Sequence, residues 1–360
     1  MRTGVADLPL HYGQCPKWLF PRMVKLSKAI AKIIVMDYGK DEFLRRLSNP
    51  FFFQSFGCVC GFDWHSSGLT TTLTGALKEA INPQEFGIAV LGGKGKTSKK
   101  TPQEIEELAN VFSLSTKKTE KLKYASRMAA KVDSAAVQSD YQLYHHSFIV
   151  TEKGEWCVVQ QGLSEKNHYA RRYHWLSEKV SVSSFVVEPH AAIVCDMRGQ
   201  VLNMVAKESE GARRTSVDIV KEHPTHIMKY FSGTLYDYLG MPAHHGLDIS
   251  SYEYMLKRFT VAYEYQPRDY EELLSIRGIG PKSVRALALL SKLMFGIDAS
   301  WKDPATFSWA HGGKDGIPYP VDRKNYDKSI EILNAAIEQA ELGNREKVEA
   351  VRRLKEFIKE

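Results

Sequence analysis

Cysteine is scarce and unpatterned in this sequence: Cys15, Cys58, Cys60, Cys157 and Cys195 are five among 360 residues, an odd number with no Cys-x-x-Cys pair. That excludes a disulfide-stapled framework and argues against a structural zinc site, so a reduced, cytoplasmic protein is expected. Long apolar runs are missing as well. The stretch Ala29 to Met36 is interrupted by Lys32 and falls far short of the roughly 18–20 residues that cross a bilayer. The first residues carry no signal-peptide pattern, and no membrane partner is expected. Acidic residues are outnumbered, 42 against 49 basic ones, which leaves a formal net charge of +7. A basic balance favours a polyanionic partner. Neither an internal repeat nor a low-complexity segment is present. With 43% hydrophobic and 25% charged residues, the chain can fill a sizeable core and two or three domains.

Along the chain, Met23, Leu26, Ile30 and Ile33 recur at helical spacing, predicting a helix from about Pro21 to Tyr38, and a second follows over Lys40 to Ser48. The aromatic run Phe56 to Phe62 reads as a buried strand delivering Asp63 and His65 into a loop. Phe86 to Leu91 reads as another strand, running into Gly92-Gly93-Lys94-Gly95-Lys96 and then amphipathic helices over Glu104 to Phe112 and Thr116 to Lys131. Ser147 to Val150 and Trp156 to Gly162, separated by a Glu152 to Glu155 turn, form a β-hairpin. Its first strand carries His145 and His146, of which only one can face a given side. Val182 to Val187 reads as a further strand. From about Ser209 onward the pattern is mostly helical. The expected architecture is an α/β (or α+β) lobe over residues 1–205, followed by a mainly α-helical lobe over residues 206–360.

The most legible stretch lies between residues 269 and 296. Asp269 to Ser275 can form a short helix buried through Leu273, Leu274 and Ile276. Gly278 and Gly280 permit a tight turn, and Pro281 suits the first turn of a second helix that Gly296 can end. The turn offers free N–H groups at a helix start, flanked by Arg277, Lys282 and Arg285, an arrangement suited to a phosphate oxygen. This segment resembles a helix-hairpin-helix motif, a module that binds DNA backbone phosphates, single- or double-stranded, without reading sequence.

The sharpest chemical expectation is a divalent-metal nuclease site in the first lobe. Hydrolysing a phosphodiester at neutral pH needs an activated water and a counter to extra negative charge, and cations held by carboxylates and imidazoles supply both. Asp63, His65, Asp133, Asp140, His145 and His146 are the right residue types. A carboxylate-rich set suits Mg²⁺ or Mn²⁺, and more histidines suit Mn²⁺ or Zn²⁺. Within it, Asp63, Asp133, Asp140 and His145 are the expected metal ligands, with His65 and His146 available to move protons. Lys94 and Lys96 follow a strand in a Gly- and Lys-rich loop that suits phosphate but lacks P-loop spacing, so nucleotide hydrolysis is not supported. Arg171 and Arg172, in Tyr169-Ala170-Arg171-Arg172-Tyr173-His174-Trp175, mix cations with aromatics as nucleic-acid binders do.

Two resemblances widen the choice. Gly278-Ile279-Gly280-Pro281-Lys282, followed by Pro320-Val321-Asp322-Arg323, is similar to the hairpin DNA glycosylases, which implies a catalytic Lys282 and Asp322. The segment between Gly296 and Asp322 is much longer than that family's pattern. Over nearly its whole length, and above all in Gly61-Phe62-Asp63-Trp64-His65-Ser66-Ser67-Gly68, Gly92 to Lys96, Tyr141 to His146 and Ala170 to Trp175, the chain resembles a prokaryotic family catalogued only as a domain of unknown function (763). That resemblance implies no catalytic residues. A third possibility is a non-catalytic accessory factor in DNA repair, whose polar loops do not converge.

Overall fold

The computed structural model describes residues 15–62, 66–166, 168–195, 198–228, 252–305, 323–339 and 344–359. Among them the strands are β1 (Ile88–Lys94), β2 (Val137–Gln138), β3 (Gln142–Thr151), β4 (Trp156–Leu163), β5 (Ala170–Leu176), β6 (His190–Val194) and β7 (Leu202–Asn203). Five of them form one sheet in the order β1-β3-β4-β5-β6, while β2 and β7 make a separate pair. Every pairing is antiparallel, so the α+β alternative describes this sheet.

Helices cover both faces, because side chains along β1, β3 and β4 are apolar on both sides. On one face Ile88, Val90, Ile149, Cys157 and Val159 join a core with α1 (Phe20–Tyr38), α2 (Lys40–Ser48), α3 (Pro50–Val59) and α4 (Gly68–Ala80). After a short α5 (Pro83–Phe86), the other face gathers Ala89, Leu91, Phe148, Val150, Val158, Tyr173 and Trp175. They pack under α6 (Thr101–Val111) and α7 (Thr116–Lys131). Beyond α8 (Ser177–Val182) the same core continues into α9 (Glu210–Lys221), α10 (Pro224–Met228), α11 (Tyr252–Tyr265), α12 (Tyr270–Ser275) and α13 (Pro281–Phe295). The last helices, α14 (Arg323–Gln339) and α15 (Asn344–Lys359), return to the first face against α1 and α3. Each core therefore takes residues from both before and after position 205.

Two apolar runs do not form the expected strands. Phe56 to Phe62 lies in and just beyond α3, where Asn49 caps the helix by accepting from the Phe51 and Phe52 N–H groups at 2.9 and 3.2 Å and Pro50 fills the first turn. This helix is buried almost all round, with Phe52, Phe53 and Phe56 at 0% exposure, so its sequence shows no amphipathic period and reads equally as strand. Burying each of these rings contributes about 1.5–3 kcal/mol. Likewise, Val182 ends α8, and residues 183–189 form an irregular connection to β6. Among the described residues no helix is long and apolar enough to cross a membrane.

Candidate functional site

Register places four polar residues in one row across the sheet. Lys94 is the cross-strand partner of His145, His145 of Gln161, and Gln161 of Arg172. The row faces α4. There the Thr74 hydroxyl lies 3.0 Å from His145 Nε2 and itself donates to the Thr70 carbonyl at 2.8 Å. The hydroxyl hydrogen is thereby used, so the proton on His145 belongs on Nε2 and its buried Nδ1 keeps a lone pair without a partner among the described residues. Burial, then the neighbouring His146 and Lys94 charges, push His145 down to about 3, and the ring is neutral. Gln161 accepts from Thr70 Oγ1 at 2.5 Å and donates to the Ser67 carbonyl at 2.9 Å and to Tyr144 Oη at 2.5 Å. Arg172, fully buried, donates to Thr70 Oγ1 and Gln54 Oε1, each at 3.1 Å, and lies over the Phe53 ring at 4.5 Å. Its Nε also donates to His174 Nε2 at 2.9 Å, while His174 Nδ1 faces the Leu47 carbonyl at 3.2 Å, which fixes that tautomer too. Lys94 closes the row at the sheet edge, exposed, with Nζ 5.9 Å above the Tyr144 ring.

One step along the strands, on the opposite face, lies a second polar set centred on Asp133. This residue sits in a short π-helical turn, Val132–Ala136, that follows α7. Its carboxylate accepts from Gln160 Nε2, from Trp175 Nε1 at 2.9 Å and from His190 Nε2 at 2.5 Å. Gln160 holds His146 in turn: Gln160 Oε1 accepts from His146 Nδ1 at 2.7 Å, and the Ser126 hydroxyl donates to His146 Nε2 at 2.9 Å. Burial lowers the His146 pKa, which favours the neutral ring. His145 and His146 thus belong to different sites on different faces.

A third element is the turn between α12 and α13. Asp269 caps α12 by accepting from the Glu272 N–H at 2.8 Å. Gly280 precedes α13 with no side-chain cap, Pro281 occupies its first turn, and Gly296 ends it at φ 69°. Gly278 adopts φ 99°, and a Cβ there would lie 2.2 Å from Arg258 Nη1; at Gly280 a Cβ would meet nothing within 4 Å among the described residues. The turn is tied to the body by Lys131, which donates to the Ile276 carbonyl at 2.6 Å, and by Gln138, which donates to the Pro281 carbonyl at 2.8 Å. Burial, with help from Arg127, lowers Lys131 to about 8. Gln138 lies in β2, so the turn is anchored to the short β2–β7 pair.

The expected site residues are therefore distributed. Arg277 and Lys282 are exposed beside the turn, whereas Arg285 is buried and donates to Gln138 Oε1 at 2.7 Å, with burial lowering its pKa to about 10. Arg171 and Arg172 are not an exposed basic patch. Both are 0% exposed, and Arg171 pairs with Asp303 at 2.5 Å beneath the Tyr141 ring. Lys96 is exposed in the turn after β1, together with Lys99 and Lys100. Asp140 Oδ2 lies 3.7 Å from Lys166 Nζ. Asp63, His65 and Asp322 fall outside the described residues. Among the described residues no three His, Cys, Asp or Glu side chains gather as metal ligands would. Sequence reasoning missed Thr70, Thr74, Gln160, Gln161 and His190. Strand register and the packing of α4 place Thr70, Thr74 and Gln161 on one face and Gln160 and His190 on the other, and polar residues at consecutive strand positions 160–161 were the available sign.

A five-stranded antiparallel sheet between two helical layers, carrying back-to-back buried polar sets, with a glycine turn tied to Lys131 and Gln138, is the frame in which the family relationship stands. The chain belongs to the family described as Protein of unknown function (DUF763), whose profile matches residues 4–321. No curated protein matches it, and no solved structure does.

Proposed function

We propose that this protein binds DNA along its sugar-phosphate backbone, with α12, the glycine turn and α13 acting as a helix-hairpin-helix. The observation that carries this reading is the uncapped start of α13. Its first N–H groups lie beside exposed Arg277 and Lys282, and among the described residues nothing lies within 4 Å of where a Gly280 Cβ would point. N–H groups at a helix start attract a phosphate oxygen, and flanking cations add an interaction that does not depend on base identity. The net charge of +7 points the same way. Fluorescence anisotropy with oligonucleotides of unrelated sequence tests it: affinities should agree with one another and fall together as salt rises.

A second, catalytic reading is favoured by the row Lys94, His145, Gln161 and Arg172. A neutral imidazole with an open nitrogen, a buried cation and an exposed lysine at one sheet end form a group that phosphodiester hydrolysis could use. A divalent ion, Mg²⁺ or Mn²⁺, would supply the activated water, with Asp63 and His65 the ligand candidates nearest in sequence to Ser67 and Thr70. The test is divalent-dependent cleavage of labelled DNA. In the glycosylase alternative, exposed Lys282 would be the nucleophile and would leave a borohydride-trapped adduct.

A further inference from the structure

Beside the glycine turn, α11 presents an aromatic and basic face. Tyr254, Lys257 and Arg258 share it at helical spacing. Tyr254 is 43% exposed, while Met255 and Phe259 supply the buried side of the helix. Its i+4 neighbour Arg258 holds its guanidinium 4.8 Å from the ring centroid. The same guanidinium packs against the turn, since a Cβ at Gly278 would sit 2.2 Å from Nη1 and 2.8 Å from Cζ. Arg258 therefore bridges Tyr254 to Gly278, which places the ring beside the turn.

We infer that Tyr254 is a stacking platform for an unpaired base of the strand whose phosphate rests on the turn, so that the site prefers single-stranded DNA to intact duplex. This inference rests on the hairpin reading above. Three considerations favour such an occupant. An exposed ring braced by a cation offers a flat, sequence-tolerant surface, and arginine adds a cation–π contribution. Lys257 and Arg258 match phosphate charge, and Arg258 lies against Gly278 in the turn that carries Arg277. In a duplex the bases are already stacked, so Tyr254 gains nothing from them without unpairing.

The experiment compares a single-stranded oligonucleotide with a blunt duplex of the same sequence, by anisotropy, for the wild-type protein, Tyr254→Ala, Tyr254→Phe and Lys282→Ala. Tyr254→Ala should lower single-strand affinity about tenfold and leave duplex affinity unchanged, and Tyr254→Phe should restore it. Lys282→Ala should weaken both. Circular dichroism and the melting temperature of Tyr254→Ala establish that it folds. Equal single-strand affinity for Tyr254→Ala and wild type overturns the inference while the hairpin reading stands, and this is also the result if the face serves a protein partner. Equal losses on both substrates overturn it as well, because the residue then acts by charge or shape alone. A wild-type protein that binds neither substrate removes both readings.

Discussion

His145 and His146 are neighbours in β3 but face opposite ways: His145 Nε2 lies 3.0 Å from Thr74 Oγ1 on α4, and His146 Nε2 lies 2.9 Å from Ser126 Oγ on α7. One residue along a strand separates the row that opens toward Lys94 from the closed network around Asp133. The first is a candidate for chemistry. The second has its hydrogen bonds satisfied internally, and its work is to hold β4, β5, β6 and the π-helical turn together.

That division makes Asp133→Asn a stability variant. Its carboxylate accepts from three donors, and an amide must turn an NH₂ toward at least one of them. Losing a charge-assisted bond and opposing two donors in the interior should cost about 3 kcal/mol. Denaturant unfolding measures it. A loss below about 0.5 kcal/mol would place the network outside the structural frame.

The buried imidazoles set a pH dependence. Burial is the first cause holding His145, His146 and His174 below the ordinary histidine range, His145 at about 3. The unfolded chain takes up these protons below about pH 6.5, while the native protein resists them. Stability should be fully present above that value and decline as pH falls toward 3. Urea midpoints at pH 7 and pH 5 should show the drop. His145→Gln keeps a donor near Thr74 without a titrating group and should make it smaller; an unchanged drop would remove His145 from the effect.

The two glycines of the turn should separate. Gly278→Ala meets positive φ and the Arg258 guanidinium, and should destabilise by about 1–3 kcal/mol. Gly280→Ala has extended backbone and open space, so its melting temperature should match wild type. Thermal melts of both decide this, and a destabilised Gly280→Ala would mean that the space is needed by the fold.

Much of this frame was legible from sequence, and the failures have physical reasons. The β3–β4 hairpin announced itself by apolar strands around a Glu-Lys-Gly-Glu turn, and α12 and α13 by their caps at Asp269, Pro281 and Gly296. Phe56 to Phe62 misled because α3 is buried all round and loses its period, although Asn49-Pro50 marked a helix start. Arg171 and Arg172 looked like a surface patch. Alternation in β5 instead sends one toward Asp303 and the other toward Gln54 and Thr70. The row from Lys94 to Arg172 spans four strands, and no spacing along the chain reveals a relationship set by register.

Cleavage is the test of the catalytic reading. Incubation with labelled single- and double-stranded DNA should give products with Mg²⁺ or Mn²⁺ and none in EDTA. Asp63→Asn should abolish them while leaving affinity for DNA intact. Products that persist in EDTA from a damaged-base substrate, with an adduct trapped at Lys282, would move the chemistry to the hairpin.

The central claim is the phosphate anchor at the start of α13, and a salt titration of DNA affinity addresses it most directly. Wild-type affinity should fall linearly on a log–log plot for oligonucleotides of any sequence. Gly280→Ala combined with Lys282→Ala should weaken binding to all of them uniformly and reduce the slope by about one. A double variant that keeps wild-type affinity and slope throughout the titration contradicts the account.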